Sequence, residues 1–427
     1  MGTVGVLLHK KQISKTTQKL IDLIKRSTTI TEKKNYILAL KSLGHTLSRS
    51  QGNMVPDIIS LLITFLGKDF LESEGEDDEK NSCIEATLNC IEIYIYTSIS
   101  LLKSFIPKII DDATELLAYD PGNTNNGENV EIEGYEGYEA EIDATLDDTA
   151  WKVRRAASRI LRKILESGYS FEREVKEKIM MALIQCFGEQ EENAKLEINL
   201  CLKKYLDSLV HTQQTQEKLV IMKVQSKTVN EFIPKVAKDL IDKILKDLKG
   251  NYPDNRISST LTILPSMAIV NSDSVIKYFE ILKEGIDKTC FKSNENTIIL
   301  MEFLSSLFLA DEMDDDYKGI YSCIIDYLKK GIANSYYKVS TEAIKATGLL
   351  FRILSLDEEM NKPFIKNLYN DILPKFKAQD IDPEIKDLFK IYISKTSNEL
   401  IKPEILKILN DILAKDLRDI NLDGAIS

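Results

Sequence analysis

Between Asp120 and Asp148 the chain carries ten Asp or Glu and no Lys or Arg. This acidic, glycine-bearing stretch runs straight into a strongly patterned helix, Asp147-Asp148-Thr149-Ala150-Trp151-Lys152-Val153-Arg154-Arg155-Ala156-Ala157. A segment so unbalanced in charge cannot contribute to a core, so it is expected as a solvated insertion. The helix after it reads as the second helix of a two-helix repeat: a capping Asp, a Val-Arg pair, then small residues. Together they point to a long acidic loop set inside a helical repeat.

The rest of the chain has the same organisation, in pairs of amphipathic helices with short polar breaks. Two apolar residues and a proline recur at Met54-Val55-Pro56, Phe105-Ile106-Pro107, Phe232-Ile233-Pro234 and Ile372-Leu373-Pro374. Proline is tolerated in a first helical turn, where its missing N–H has no partner to lose. The gaps between these prolines are 51, 127 and 140 residues. The last two are close to three units of the roughly 40–47 residues of a HEAT repeat. Asp382-Pro383-Glu384-Ile385-Lys386 places an N-cap before a proline, and Thr29-Ile30-Thr31-Glu32 reads as a capping box.

On this basis helix pairs are predicted at 15–50, 53–98, 101–167, 171–209, 228–271, 272–310, 314–356 and 362–396, with a final helix at 402–418. The fold class is all-α: a HEAT-repeat α-solenoid, an armadillo-type superhelix of about eight helix pairs plus a terminal helix. Residues 1–118 and 150–427 are repeats, the last one incomplete, and 119–149 is the acidic insertion. An array that stops half built, without a polar-faced cap, has the look of a piece of a longer solenoid.

Composition narrows the partners. With 43 % hydrophobic and 29 % charged residues, the 427-residue chain is a folded one. Its net charge of −11 and pI near 5.1 argue against a phosphate backbone as main partner and suit a basic protein surface. The six cysteines include no C-x-x-C pair, and Cys83 and Cys90 share a helical face, so they are expected as small core residues in a reducing compartment. No signal peptide, membrane span or myristoylation signal is visible, which predicts a soluble intracellular protein.

No H-E-x-x-H, phosphate loop or serine elbow occurs, and His9, His45 and His211 are scattered. The chain is therefore expected to be no enzyme and to use no cofactor or metal. The final Asp419–Ser427 stretch matches the opening of an EF-hand loop but ends before its twelfth-position glutamate, and it is taken as a turn.

Several landmarks, in order, carry a resemblance. They are Leu117-Ala118-Tyr119-Asp120-Pro121, the acidic insertion, Trp151-Lys152-Val153-Arg154-Arg155-Ala156-Ala157, Glu189-Gln190-Glu191-Glu192-Asn193-Ala194-Lys195, Tyr336-Tyr337-Lys338-Val339-Ser340-Thr341-Glu342-Ala343 and Ala378-Gln379-Asp380-Ile381-Asp382-Pro383-Glu384-Ile385-Lys386. The chain resembles the early-to-middle portion of the cullin-associated, neddylation-dissociated HEAT proteins, the exchange factors of cullin–RING ubiquitin ligases. Two departures stand out: Gly-Tyr-Glu-Gly-Tyr-Glu at 134–139 in place of a denser acidic run, and a short, poorly matching stretch around 210–230.

The resemblance implies a non-enzymatic regulator that binds unneddylated cullin and its RING-box protein and controls assembly and exchange of the ligase. It implies a monomer outside that complex, in the cytoplasm and nucleus, with neither nucleic acid nor membrane as partner. An importin-like transport receptor and a phosphatase-type scaffold are the alternative readings.

Candidate contact residues are Trp151, Lys152, Arg154, Arg155, Tyr336, Tyr337 and Lys338. Trp151 can anchor a partner or seal the loop entry. One of the three basic residues is expected to stay inside the array. At least one of the two tyrosines is expected in the core. The acidic loop is read as a spacer, a steering element or a docking segment, with Tyr135 and Tyr138 as the hint of docking.

Overall fold

A computed structural model describes residues 10–50, 52–120, 149–169, 173–215, 218–222, 227–310 and 317–353, together with position 371. The acidic insertion, the helices expected at 362–396 and 402–418, Pro374, the cap at 382–386 and the C-terminal stretch lie outside these residues.

The described chain is a succession of helix pairs. They are α1 (Lys10–Arg26) with α2 (Ile30–Ser50), and α3 (Val55–Ile63) with α4 (Asp77–Ser98). Next come α5 (Ile106–Leu116) with α6 (Ala150–Glu166), then α7 (Arg173–Gln185) with α8 (Glu192–Ser208). The fifth unit is α9 (Lys227–Lys249) followed by a second helix in two pieces, α10 (Asp254–Leu261) and α11 (Ile263–Val270). In the sixth the first helix is split, α12 (Ser272–Lys277) and α13 (Phe279–Thr289), before α14 (Asn294–Ala310). The seventh is α15 (Tyr317–Ala333) with α16 (Tyr337–Ile353). Two five-residue strands, His211–Thr215 and Lys218–Met222, are the departure from an all-helical chain, and they fall in the stretch that matched the family poorly.

The chain divides into two compact units. The first holds α1 to α8, the part of α9 up to Lys243, and α10; the second holds the remainder. Within the first unit the second helices form a continuous layer, α2 on α4, α4 on α6, α6 on α8 and α8 on α10. Within the second, α14 and α15 both pack on α16.

The patterning explains the layers. In α6 the buried apolar side chains are Ala150, Val153, Ala156, Ala157, Ile160, Leu161, Ile164 and Leu165, a 3-4 spacing that makes one broad apolar face. The alanines at its centre let neighbours approach closely. α4 lies between α2 and α6 and is buried on more sides, with Cys83, Ile84, Ala86, Leu88, Cys90, Ile91, Tyr94 and Ile95 all enclosed. Burial pushes the Cys83 thiol up to about 11 and that of Cys90 up to about 12, so both behave as small hydrophobes.

A polar device recurs where the chain turns from first to second helix. The fourth residue of the second helix reaches back to a carbonyl near the end of the preceding segment. Lys80 donates to Leu71 O (3.2 Å), Lys195 to Phe187 O, Thr297 to Cys290 O (2.8 Å) and Ser340 to Ile332 O (3.2 Å). Each bond satisfies a carbonyl that a helix end leaves without an intrahelical partner. Lys195 is fully enclosed, its ammonium also 3.2 Å from the Phe187 ring centroid.

Two local expectations changed. Pro56 and Pro107 open helices as expected. Pro234 instead lies inside α9, because the helix already begins at Lys227, and there it removes an intrahelical bond. Thr149, and not an Asp, holds the N-cap position of α6, and its hydroxyl turns sideways to another helix. At Thr29 the capping reading holds, the hydroxyl accepting from Glu32 N–H at 3.3 Å.

Candidate partner-binding surface

The sequence motif Trp151-Lys152-Val153-Arg154-Arg155 opens α6, and α6 is strapped to its neighbours on both sides. At its start the Thr149 hydroxyl donates to Asp78 Oδ1 of α4 at 2.6 Å and accepts from Asn81 Nδ2 at 3.0 Å. Toward α8, Arg154 grips Glu189 with two nitrogens, Nε–Oε2 at 2.6 Å and Nη2–Oε1 at 3.3 Å. Its Nη1 donates to Tyr119 O at 3.1 Å, across the base of the insertion. The side chains are 15 % and 8 % exposed, so this is a desolvated two-point pair.

The ladder continues along the helix. Arg162 Nη2 meets Glu197 Oε1 of α8 at 2.6 Å, and its Nη1 meets Glu166 at 2.8 Å. On the α4 side, Arg155 Nη2 meets Glu85 Oε1 at 3.1 Å and Arg159 Nε meets Glu92 Oε2 at 2.9 Å, with Asn89 as a further acceptor for Arg159. Burial works against ionising Glu166, but Lys163 at 2.8 Å and Arg162 overcome it and hold the carboxyl below its ordinary range. One basic helix is thus held between two acidic edges.

The sequence candidates divide accordingly. Arg154 and Arg155 are both engaged in the array, where only one basic residue was expected to be. Trp151 is half-buried, with the Arg155 guanidinium 4.9 Å and the Lys152 ammonium 5.7 Å from its ring. Lys152 is half-buried, with no ion pair to any described residue. In the second unit Tyr336 is half-buried, Tyr337 is 45 % exposed and Lys338 is exposed. The two rings meet edge to face with centroids 5.5 Å apart. Neither tyrosine is in the core, contrary to the ordinary expectation for such a pair.

Sequence reasoning missed the acidic partners Glu85, Glu92, Glu189 and Glu197 and the buried Lys80 and Lys195. One signal could have found the former. Arg154–Glu189 and Arg162–Glu197 are both 35 residues apart, while Arg155–Glu85 and Arg159–Asn89 are both 70 apart. A constant offset of this kind is the register of one helix on the next.

Paired helices stacked through their second members define a HEAT-type α-solenoid. The likeness to solved structures agrees. Kap95p in its RanGDP complex matches with a TM-score of 0.64, covering 93% of this chain and 42% of that one at 12% identity. Importin beta from an ammonium sulfate condition gives 0.61, covering 93% and 42% at 11% identity. At such identities the likeness shows the fold alone.

The sequence comparisons go further. A family model described as CAND1-like, TPR repeats, matches residues 226–389. Cullin-associated NEDD8-dissociated protein 1 of Arabidopsis thaliana is 24% identical over 362 residues, 81% of this chain and 28% of the relative. The Dictyostelium discoideum protein of the same name is 24% identical over 400 residues, covering 86% and 30%. Over most of its length the chain is similar to proteins named as cullin-associated and NEDD8-dissociated, and it spans less than a third of the length of these two.

Proposed function

We propose that the chain is a non-enzymatic regulator of cullin–RING ubiquitin ligases that binds cullin together with its RING-box protein in the unneddylated state. The observation that carries this reading is collinear similarity over most of the chain to proteins named as cullin-associated and NEDD8-dissociated. The solvent-facing side of the second-helix layer supplies the contact surface, with Trp151 and Lys152 at its centre. An acidic protein of net charge −11 is suited to a basic surface on that partner. The contact extends over many modest interactions, as stacked repeats allow, and through it the protein governs assembly and exchange of the ligase in cytoplasm and nucleus.

Size-exclusion chromatography tests the reading, with this chain mixed with a cullin–RING heterodimer that is unmodified or neddylated. Co-elution with the unmodified heterodimer alone is the expected outcome. Equal co-elution with both forms, or with neither, overturns it.

A further inference from the structure

In the second unit the turn before α14 (Phe291–Ser293) and the turn before α16 (Asn334–Tyr336) lie side by side. Asn334 Nδ2 donates to Asn294 Oδ1 at 3.4 Å, and the Lys330 ammonium, from the last turns of α15, lies 4.8 Å from the Phe291 ring centroid. The later turn is held rigid. Tyr336 N–H donates to Asn334 Oδ1 at 2.7 Å, and Ser340 Oγ donates to Asn334 O at 2.8 Å as well as to Ile332 O. What this fixed turn offers to solvent is an aromatic pair, Tyr336 and Tyr337, beside Lys338.

The charges around it are unbalanced. Lys292, Lys330 and Lys338 are exposed, and none forms an ion pair with a described residue. Two of the nearby acids are engaged: Asp287 accepts the Tyr327 hydroxyl at 2.9 Å and Glu342 pairs with Lys345 at 2.8 Å. Glu295, exposed on the first turn of α14, and Asp326, exposed one turn before Lys330 on α15, are the opposing charges without such a bond among the described residues.

We propose that this paired-turn edge, with Tyr337 as its aromatic contact and Lys292 and Lys338 as its charges, is a docking surface for an acidic, extended peptide segment of a partner protein. Unpaired lysines complement carboxylates, and a tyrosine already ordered in the free protein adds contact area at small entropic cost. An edge made of turns also presents backbone and side chains along a line, which suits an extended chain. The proposal goes beyond the cullin reading and does not rest on it.

Fluorescence anisotropy of the full chain against a short labelled peptide of Asp, Glu and Tyr tests it, with a Lys-rich peptide and a single-stranded oligothymidylate as comparators. The acidic peptide is expected to bind and the Lys-rich one not to. Tyr337→Ser weakens binding at least about fivefold, as loss of an interface aromatic does. Lys292→Glu with Lys338→Glu abolishes it, Lys292→Arg with Lys338→Arg retains it, and Lys103→Glu at an exposed position of the first unit leaves it unchanged. Absence of binding by the wild type, or equal binding by the double charge reversal, overturns the proposal. So does tighter binding of the oligonucleotide through the same lysines, which makes the edge a nucleic-acid surface. Because the substituted side chains are exposed, an unchanged thermal transition in each variant separates lost contact from lost fold.

Discussion

The basic residues of α6 and those of the turn edge in the second unit look alike in sequence, yet they stand in opposite situations. Along α6, Arg154, Arg155, Arg159, Arg162 and Lys163 each meet a carboxylate. At the other site Lys292 and Lys338 meet none among the described residues. A charged motif therefore says little about partner binding until its internal partners are known. The Val-Arg-Arg run is where a repeat welds itself to its neighbours, and the lysines after an aromatic pair are where charge is left over.

The sharpest way to break this contrast is to remove Arg154. Glu189, at 8 % exposure, loses both of its guanidinium bonds, and Tyr119 O loses a donor. Truncating one member of a buried pair leaves the other charge uncompensated and costs about 3–5 kcal/mol. Arg154→Ala is therefore expected to lower the urea midpoint strongly, while Arg154→Met combined with Glu189→Met recovers most of the loss. A small effect of the single change would place Arg154 with the surface lysines and dissolve the distinction.

Next in size is a packing change in the second unit, where helices and not charges set the fit. A Cβ at Gly331 would lie 2.8 Å from both Ala343 Cβ and Met301 Sδ. Gly331→Val forces α15 away from α14 and α16 and is expected to cost about 1–3 kcal/mol, read from the thermal transition. Tolerance without loss would mean that this unit is loosely packed and that its turn edge is not rigidly presented.

These two sites show what was legible in the sequence and what was not. The helix pairs followed from apolar spacing and from the prolines at Pro56 and Pro107, because burial on one helix face imposes a period that survives in any single chain. The role of Arg154 was half legible. The motif placed it on a second helix, but its partner Glu189 lies 35 residues on, and only the stacking register brings the two together. Gly331 was illegible, since a close approach between helices leaves no local mark beyond the glycine itself. Pro234 misled because a proline can sit inside a helix when the chain before it is helical too.

A milder test probes the half-exposed side of the ladder. Arg155 and Glu85 are 28 % and 23 % exposed, so solvent screens them, and Arg155→Ala is expected to cost no more than about 1 kcal/mol. The effect shrinks at high salt, whereas that of Arg154 does not. Acid titration addresses the same ladder through Glu166. Its folded-state carboxyl is held below the ordinary range, so its contribution is present above the unfolded value near 4.5 and is lost as pH falls through the lower folded value. Replacing it with Gln is expected to flatten the stability profile in that acidic window and to lower stability by a pH-independent amount above about pH 6, where the contribution of the carboxylate is fully present.

The smallest stability effect belongs to the turn edge. Tyr337 is 45 % exposed, and Lys338 is exposed without an ion pair to any described residue, so folding gains little from either. Tyr337→Ser and Lys338→Glu are each expected to shift stability by less than about 0.5 kcal/mol, the range of surface substitutions away from special features. Calorimetry of the two variants beside Arg154→Ala sets the two regions on one scale. If Tyr337→Ser instead destabilises by more than about 1 kcal/mol, the edge-to-face contact with Tyr336 is a structural brace, and the tyrosine pair joins Arg154 among residues that hold the array together. If it does not, the ordered, exposed and energetically idle aromatic is what a surface reserved for another molecule looks like. The difference between the two regions is then one of purpose, internal cohesion against external contact, within a single repeat architecture.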